Sequence, residues 1–228
     1  AKWFDMNAYL NNKLAQVGTS YTLDSLVKAM NAAGFVGEQG YYQHFLQYGH
    51  AEDVSPSAGF NASQYYIFKA ASYYHKGDVS AVTDVEAATI KQIIIDAGMD
   101  AWTHYQKYGT VEQINASNTF DTAAYLQAKA EALNASQSSV VWNAASVATA
   151  IQKAGMSAYE HYMQYKGTGA GEVESTATYA VDQSKQAANA GQTYMLTKGL
   201  DNVPGTSGND TIIGSISATA GDDLDTLS

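Results

Sequence analysis

The stretch Phe120-Asp121-Thr122-Ala123-Ala124-Tyr125-Leu126 decides the fold, because its pattern of an aromatic residue, an Asp or Asn and a Tyr four positions later occurs three times. A closing pattern, in which a His is followed four residues later by Tyr, also occurs three times, and its clearest copy is His104-Tyr105-Gln106-Lys107-Tyr108-Gly109. The openings lie 56 and 60 residues apart and the closings 60 and 57. These periods predict a tandem array, which is more typical of scaffolds and binding surfaces than of enzymes. The opening motifs comprise Phe4, Asp5, Tyr9, Phe60, Asn61, Tyr65, Phe120, Asp121 and Tyr125, and the closing motifs His44, Tyr48, His104, Tyr108, His161 and Tyr165.

Each opening motif has the chemistry of a helix N-terminus. Asp and Asn are favourable N-caps, and the aromatic residue before the cap packs against the fourth helical residue as a hydrophobic staple. Phe4 and Tyr9 are the predicted staple of the first copy. After the closing motifs, Gly49 and Gly109 stand where a left-handed glycine ends many helices, whereas the third copy has Lys166 there.

Pairs of a small residue and Gly predict an internal helix break in each copy, at Ala33-Gly34, Ala97-Gly98 and Ala154-Gly155. Each copy is therefore predicted to contain three helices. Asp78 is the predicted cap of the longest one, whose Val82, Val85, Ile90, Ile93 and Ile94 form an apolar stripe. The predicted helices span 5–17, 22–33, 38–48, 61–75, 79–97, 99–108, 121–134, 142–154 and 157–165.

The predicted fold class is mainly α: tandem three-helix repeats forming an α-helical array, with a short β- and turn-rich C-terminal tail. The boundaries are 1–56, 57–116 and 117–170 for the three repeats, 171–191 for a connecting helix and 192–228 for the tail. The tail is rich in Thr, Ser, Gly and Asp with alternating Ile and Leu, which favours short strands and turns.

Composition narrows the class of partner. Twelve Lys and Arg against 22 Asp and Glu give a formal net charge of −10, which argues against nucleic acid and suits divalent cations. The absence of cysteine excludes structural disulfides and Cys-ligated zinc. No apolar run reaches the roughly 18 to 20 residues of a membrane span, so no transmembrane segment is predicted. The N-terminus has no secretory signal pattern, which is consistent with a removed signal, another export route or a fragment.

The tail carries a second motif, Gly205-Thr206-Ser207-Gly208-Asn209-Asp210-Thr211-Ile212-Ile213. It fits the calcium-binding nonapeptide Gly-Gly-x-Gly-x-Asp-x-(apolar)-x at every specified position except the second. Oxygen ligands on tight turns suit calcium, whereas the alternative is a set of Asx turns in a solvated loop. The tail is expected to begin a larger β-region. The candidate calcium ligands are Asp201, Asn209, Asp210, Asp222, Asp223 and Asp225.

The repeated histidines have two interpretations. His is a common metal ligand, but one His per copy places His44, His104 and His161 about one repeat apart, which favours a structural role. In that role we expect each imidazole either to pack on a Tyr and bond a backbone carbonyl, or to be favoured by its place near a helix C-terminus. His50 and His75 are predicted at the surface, and Glu86 and Asp96 on solvated helix faces. No catalytic motif is present in the sequence, so the prediction is a protein that is not an enzyme.

The opening and closing motifs resemble a repeat of secreted and surface-associated bacterial proteins. The segment from Leu196 to Thr211 resembles the junction at which repeats-in-toxin (RTX) and surface-layer (S-layer) proteins enter their β-domains. The resemblance implies type I secretion, an extracellular location at the cell surface, and calcium as the cofactor. It further implies that residues 192–228 start an RTX- or S-layer-like β-region.

Three functions remain open at this point. The first is a non-enzymatic surface module that anchors or assembles an S-layer or RTX protein through calcium-bridged contacts with envelope glycan or lipopolysaccharide, with self-association in a lattice. The second is an outward-facing adhesin or carbohydrate-binding module that uses exposed Tyr and Trp. The third is a metal-dependent hydrolase that uses the repeated histidines.

Overall fold

The structure, a computed structural model, describes residues 1–136, 140–166, 173–174 and 179–181, together with the backbone of four short strands further along the chain. The described part is mainly helical, as predicted. Five-residue π-helical turns at Phe45–Gly49 and Tyr105–Gly109 continue the third and sixth helices. The helices are α1 (Met6–Val17), α2 (Leu23–Ala32), α3 (Gly37–His44), α4 (Ala62–His75), α5 (Asp84–Asp96), α6 (Ala101–His104), α7 (Thr122–Ser136), α8 (Ala144–Lys153) and α9 (Ala158–Tyr165).

Four short strands follow in the tail. The strands β1 (Thr193–Met195) and β3 (Thr211–Ile213) pair in parallel, as do β2 (Asn202–Val203) and β4 (Thr226–Leu227). Most of the predicted connecting helix at 171–191 lies outside the described residues. Among the described residues, no helix combines the length and the apolarity that crossing a membrane requires.

The predicted helix starts at the opening motifs are confirmed. The side-chain oxygens of Asp5, Asn61 and Asp121 accept hydrogen bonds from backbone N–H groups three residues ahead, each at 2.9 Å. The aromatic residue before each cap packs against the Tyr of its motif, with ring centroids 5.4, 5.9 and 5.6 Å apart in the three copies. Local sequence therefore determines where α1, α4 and α7 begin.

The internal breaks are confirmed as well. Helices α2, α5 and α8 end just before Gly34, Gly98 and Gly155, whose φ angles of 93°, 75° and 77° are left-handed. This region of backbone space is open to glycine at little cost. Each break turns the chain into the short helix that carries the closing His.

The prediction of one helix over 79–97 is wrong. Asp78 caps only a 3-10 turn at Val79–Ala81, and Val82 is extended and buried. Helix α5 starts afresh with a capping box in which Thr83 accepts from the Glu86 N–H and the Glu86 carboxylate accepts from the Thr83 N–H. The predicted apolar stripe is also only half buried: Ile90 and Ile94 lie in the core, whereas Val85 and Ile93 are exposed.

Gly49 and Gly109 do not end helices in the left-handed conformation, so that prediction is wrong too. Both lie in the π-helical turns, and the chain turns later, at Asp53 and Gln113 with φ of 57° and 56°. A Cβ on Gly49 would overlap the Tyr9 hydroxyl, and a Cβ on Gly109 would overlap the Tyr105 ring. Glycine is required here for close approach of an aromatic ring rather than for a special backbone angle.

Side chains of successive motif copies contact one another. Trp3 of the first copy packs on Trp102 of the second with ring centroids 4.5 Å apart. The residue after each Tyr-Gly pair meets the start of the next closing helix: His50 Nδ1 lies 2.8 Å from Asp100 Oδ2, and Thr110 accepts from the Ala158 N–H at 2.8 Å. Successive copies thus share one aromatic core.

Substitution of the two candidate N-caps, Asp78 and Thr83, tests which of them starts α5. Thr83→Ala removes the N-cap of a 13-residue helix and is expected to lower the free energy of unfolding by about 1 kcal/mol. Asp78→Ala, the matched control, removes the cap of a three-residue turn and is expected to cost clearly less. Urea unfolding followed by circular dichroism measures both. A larger loss for Asp78→Ala would contradict the assignment.

Gly49→Ala is expected to destabilise the protein by about 1–3 kcal/mol, because the new methyl group overlaps the Tyr9 hydroxyl. The same substitution should cost less in a Tyr9→Phe background, where the nearest overlapping atom is gone. Gln47→Ala is the control, since Gln47 is exposed in the same turn. Equal costs of Gly49→Ala in the two backgrounds would exclude this explanation.

Candidate functional site

The opening and closing motifs of each copy are joined by a hydrogen bond that spans more than thirty residues of sequence. The Tyr9 hydroxyl lies 2.6 Å from His44 Nδ1, and the equivalent distances for Tyr65 with His104 and Tyr125 with His161 are 2.7 and 2.6 Å. The His ring also lies against the Tyr four residues later, with centroids 5.4, 5.2 and 4.7 Å apart. The predicted packing is confirmed, but the Nδ1 partner is a tyrosine hydroxyl and not the predicted backbone carbonyl.

A Lys–Glu ion pair stands beside each Tyr–His bond. The lysines Lys13, Lys69 and Lys129 follow the opening Tyr by four residues and so lie on the same helix face. Their Nζ atoms lie 2.6, 2.8 and 2.6 Å from carboxylate oxygens of the glutamates. We call each set of four a Tyr–His–Lys–Glu cluster: Tyr9, His44, Lys13 and Glu52; Tyr65, His104, Lys69 and Glu112; Tyr125, His161, Lys129 and Glu174.

Sequence reasoning missed the lysines and the glutamates. A threefold Tyr-x-x-x-Lys pattern was the available signal for the lysines. The glutamates of the first two copies follow the closing His by eight residues, but the third follows by thirteen, so no constant spacing identifies all three.

Burial sets the protonation states within the clusters. Burial lowers the pKa of His44, with a smaller contribution from Lys13. Burial likewise lowers the pKa of His104 and His161. Burial and the neighbouring glutamate raise the pKa of each opening Tyr. At neutral pH the imidazoles are therefore uncharged and the hydroxyls protonated, so in the first two copies the Tyr O–H donates to His Nδ1.

The third cluster has an additional bond. The Tyr125 hydroxyl lies 2.8 Å from Glu174 Oε1 as well as beside His161 Nδ1. One hydroxyl proton serves only one acceptor at full strength. A relay in which His161 Nδ1–H donates to Tyr125 and Tyr125 donates to Glu174 Oε1 gives each of these two bonds one donor and one acceptor. The other carboxylate oxygen, Glu174 Oε2, is buried and has no hydrogen-bond partner among the described residues. Burial works to raise the pKa of Glu174, but the hydrogen bonds from Lys129 and Tyr125 outweigh it and hold the pKa below its usual value.

Glu174 reaches this cluster on a segment that we call the strap, comprising the described residues 173–174 and 179–181. The Asp121 N–H donates to the Tyr179 carbonyl, and the Val181 N–H donates to the Asn118 carbonyl at 3.0 Å. The Tyr179 ring packs on Tyr125 with centroids 5.2 Å apart. In the other copies the equivalent bonds run from the Asp5 and Asn61 N–H groups to the carbonyls of Pro56 and Ala116. The strap thus closes the third copy.

Two surface predictions are wrong. His50 and His75 are half-buried and pair with Asp100 at 2.8 Å and with Glu86 at 2.9 Å. Hydrogen bonds from His75, and then from Thr83, lower the pKa of Glu86 to about 2. The Glu86 carboxylate is therefore bonded to neighbouring residues and does not simply face solvent, as was predicted. Packing of α4 against α5 brings the His75 and Glu86 side chains together.

All six candidate calcium ligands, Asp201, Asn209, Asp210, Asp222, Asp223 and Asp225, lie outside the described residues. Within the described part of the chain, no three His, Asp or Glu side chains come close enough together to hold a metal ion. His44, His104 and His161 are not brought together, since each is bonded to the Tyr of its own copy.

Comparisons of the chain with protein families, with curated proteins and with solved structures give no match. The chemistry of the clusters is accordingly judged from their geometry alone. Every named polar group of the first two clusters has a partner inside its own copy, an arrangement that holds the first and third helices of a copy together.

Tyr65→Phe tests the strength of this closure. The substitution leaves buried His104 without its hydrogen-bond donor and is expected to lower the free energy of unfolding by about 1–3 kcal/mol. The matched control is Tyr73→Phe on the same helix, where the side chain is 66% exposed and the change should stay within about 0.5 kcal/mol. Chemical denaturation gives both values. Similar small effects would show that the Tyr65–His104 bond contributes little.

Proposed function

We propose that the chain is a non-enzymatic cell-surface module in which tandem three-helix repeats form a mount for a calcium-ordered β-region. In this proposal the protein is exported and lies outside the cell, on the envelope. The mount anchors or assembles an S-layer- or RTX-type protein through contacts with envelope glycan or lipopolysaccharide, and its copies associate in a lattice.

The observation that carries the proposal is the threefold Tyr–His–Lys–Glu cluster. Residue types that serve as acids, bases and metal ligands in enzymes here face one another inside each copy, at 2.6–2.8 Å for the Tyr–His and Lys–Glu contacts. Catalytic groups must instead present a free atom to a substrate. The presence of an equivalent Tyr–His–Lys–Glu cluster in each of three copies favours a structural scaffold.

The spacing of the tail strands supports a β-roll after this mount. The strands β1, β2 and β3 begin nine residues apart, at Thr193, Asn202 and Thr211. Thr193 pairs with Thr211, two nonapeptide lengths away. The second pair joins Asn202 and Thr226, 24 residues apart, so β4 departs from the nine-residue spacing. A roll with one short strand per nonapeptide alternates between two sheets, so a strand pairs with the second one after it. The nonapeptide at 205–213 contains β3.

Charge favours calcium as the bridge to the envelope. The chain has a net charge of −10, and envelope glycans of the lipopolysaccharide type are themselves anionic. Direct contact between two acidic surfaces is repulsive. A divalent cation that takes oxygen ligands from both surfaces makes the interaction between them attractive.

The test is binding of the full chain to purified envelope glycan in calcium and in EGTA. We expect calcium to support binding and EGTA to abolish it. A variant with Asp210→Ala, Asp222→Ala, Asp223→Ala and Asp225→Ala should lose the calcium response, whereas Asp96→Ala, which removes an exposed helical carboxylate, should keep it. Binding that survives both EGTA and the quadruple substitution would contradict calcium bridging.

A second function, an adhesin or carbohydrate-binding module, is favoured by one surface feature. Tyr73 and Tyr74 are 66% and 40% exposed at the end of α4, with ring centroids 4.8 Å apart. Exposed aromatic faces are suited to stacking on sugar rings. If Tyr73→Ala with Tyr74→Ala abolishes glycan binding while EGTA does not, this second function replaces the first.

A further inference from the structure

In the first two copies the surroundings of the histidine disfavour protonation of its neutral imidazole. In the first cluster the groups facing His44 are Tyr9 and Lys13 from α1, Glu52 from the loop and Tyr48 from its own turn. In the second cluster the groups facing His104 are Tyr65 and Lys69 from α4, Glu112 from the loop, and Tyr108. In each, the Tyr O–H donates to Nδ1.

Protonation reverses the direction of this bond. A protonated imidazole carries a hydrogen on Nδ1, so it must donate to the Tyr oxygen and can no longer accept from it. The Tyr hydroxyl proton then needs another acceptor, but among the described residues the Tyr9 and Tyr65 hydroxyls hydrogen-bond only to the histidine. Burial of the charged imidazole and an unpaired buried hydroxyl both disfavour the closed copy, and Glu52 and Glu112 offset only part of that cost.

The third copy differs in this respect. Its Tyr125 hydroxyl has Glu174 Oε1 as an acceptor at 2.8 Å, and His161 Nδ1 lies 3.8 Å from the same oxygen. The groups facing His161 are Tyr125 and Lys129 from α7, Glu174 from the strap and Tyr165 from α9. Because the relay already places a hydrogen on Nδ1, a proton added to the ring breaks no hydrogen bond, and Glu174 offsets part of its charge.

We propose that the Tyr–His pairs of the first two copies are acid-operated latches, and that the strap-closed third copy stays shut when they open. Acidification then loosens the array from its N-terminal side while the third copy remains attached to the Gly- and Asp-rich stretch that follows the strap in sequence. This device is independent of any glycan or calcium contact, because every group it uses belongs to the helices, their loops or the strap.

The sign of the pH effect follows from the lowered pKa of the histidines. An unfolded or opened copy has a His pKa of about 6.5, and burial holds the pKa of His44 and His104 below it in the closed copy. Burial lowers the pKa of His161 as well, so the third copy also loses stability in acid. It is expected to open last, because its relay keeps its hydrogen bonds when the ring is protonated. The latches therefore contribute their full stability above about pH 6.5 and lose it as pH falls through that value. For one proton the opening equilibrium changes by at most about tenfold per pH unit.

Hydrogen exchange of three equivalent amides tests the proposal on the full chain. The N–H groups of Asp5, Asn61 and Asp121 each bond the carbonyl that closes their copy. Between pH 7.5 and 5, after correction for intrinsic exchange, protection of the Asp5 and Asn61 amides should fall clearly more than that of the Asp121 amide. A parallel loss at all three amides, or no loss at any, overturns the proposal.

Substitutions assign the effect to the latches. His104→Asn keeps an oxygen acceptor near the Nδ1 position but does not titrate, so the Asn61 amide should lose its pH response while Asp5 keeps it. His44→Asn should do the reverse. If either variant is unfolded, the imidazole titrations of the unaltered chain decide by NMR: a pKa of His44 or His104 at or above 6.5 overturns the proposal, and values below it support the latch.

Discussion

The hydrogen bond between the opening Tyr and the closing His of each copy is the constraint on which the other features depend. It joins a helix start to a helix end, so the chain between them must return to its origin. The turn after the closing His has to make room for the Tyr ring, which is why Gly49 stands against the Tyr9 hydroxyl. The Lys one turn further along the helix then meets the Glu that follows the turn.

The sequence was informative wherever the determinant is local. Caps at Asp5, Asn61 and Asp121 and the left-handed breaks at Gly34, Gly98 and Gly155 involve residues within five positions of one another, and these predictions are confirmed. The predictions for Gly49 and Gly109 are wrong for the opposite reason. The local rule assigns glycine a backbone role, whereas its neighbour in space, in the first copy, is a ring forty residues away.

The candidate site shows the same division. The motif histidines and tyrosines were predictable as structural residues, but not as partners, because a repeat period reveals which positions are equivalent without revealing which positions touch. The Lys–Glu pairs were not predictable, because a Lys on a helix or a Glu in a loop normally faces solvent. At 79–97, competition between two adequate caps decided the helix start, and the reciprocal capping box at Thr83 and Glu86 prevailed over the single bond from Asp78.

The third copy differs from the first two in the source of its glutamate. Two copies are closed by glutamates from their own loops, and the third borrows Glu174 from the strap, where the side chain is fully buried. A buried carboxylate is tolerated only with strong partners, and Lys129 and Tyr125 provide them. Removing the strap would take the carboxylate away from half-buried Lys129 and leave the Tyr125 hydroxyl bonded to His161, so the stability of this copy depends on the chain that follows. The third copy is thus coupled to the strap through the Glu174 carboxylate, through the backbone bonds of Asp121 and Val181, and through the packing of Tyr179 on Tyr125.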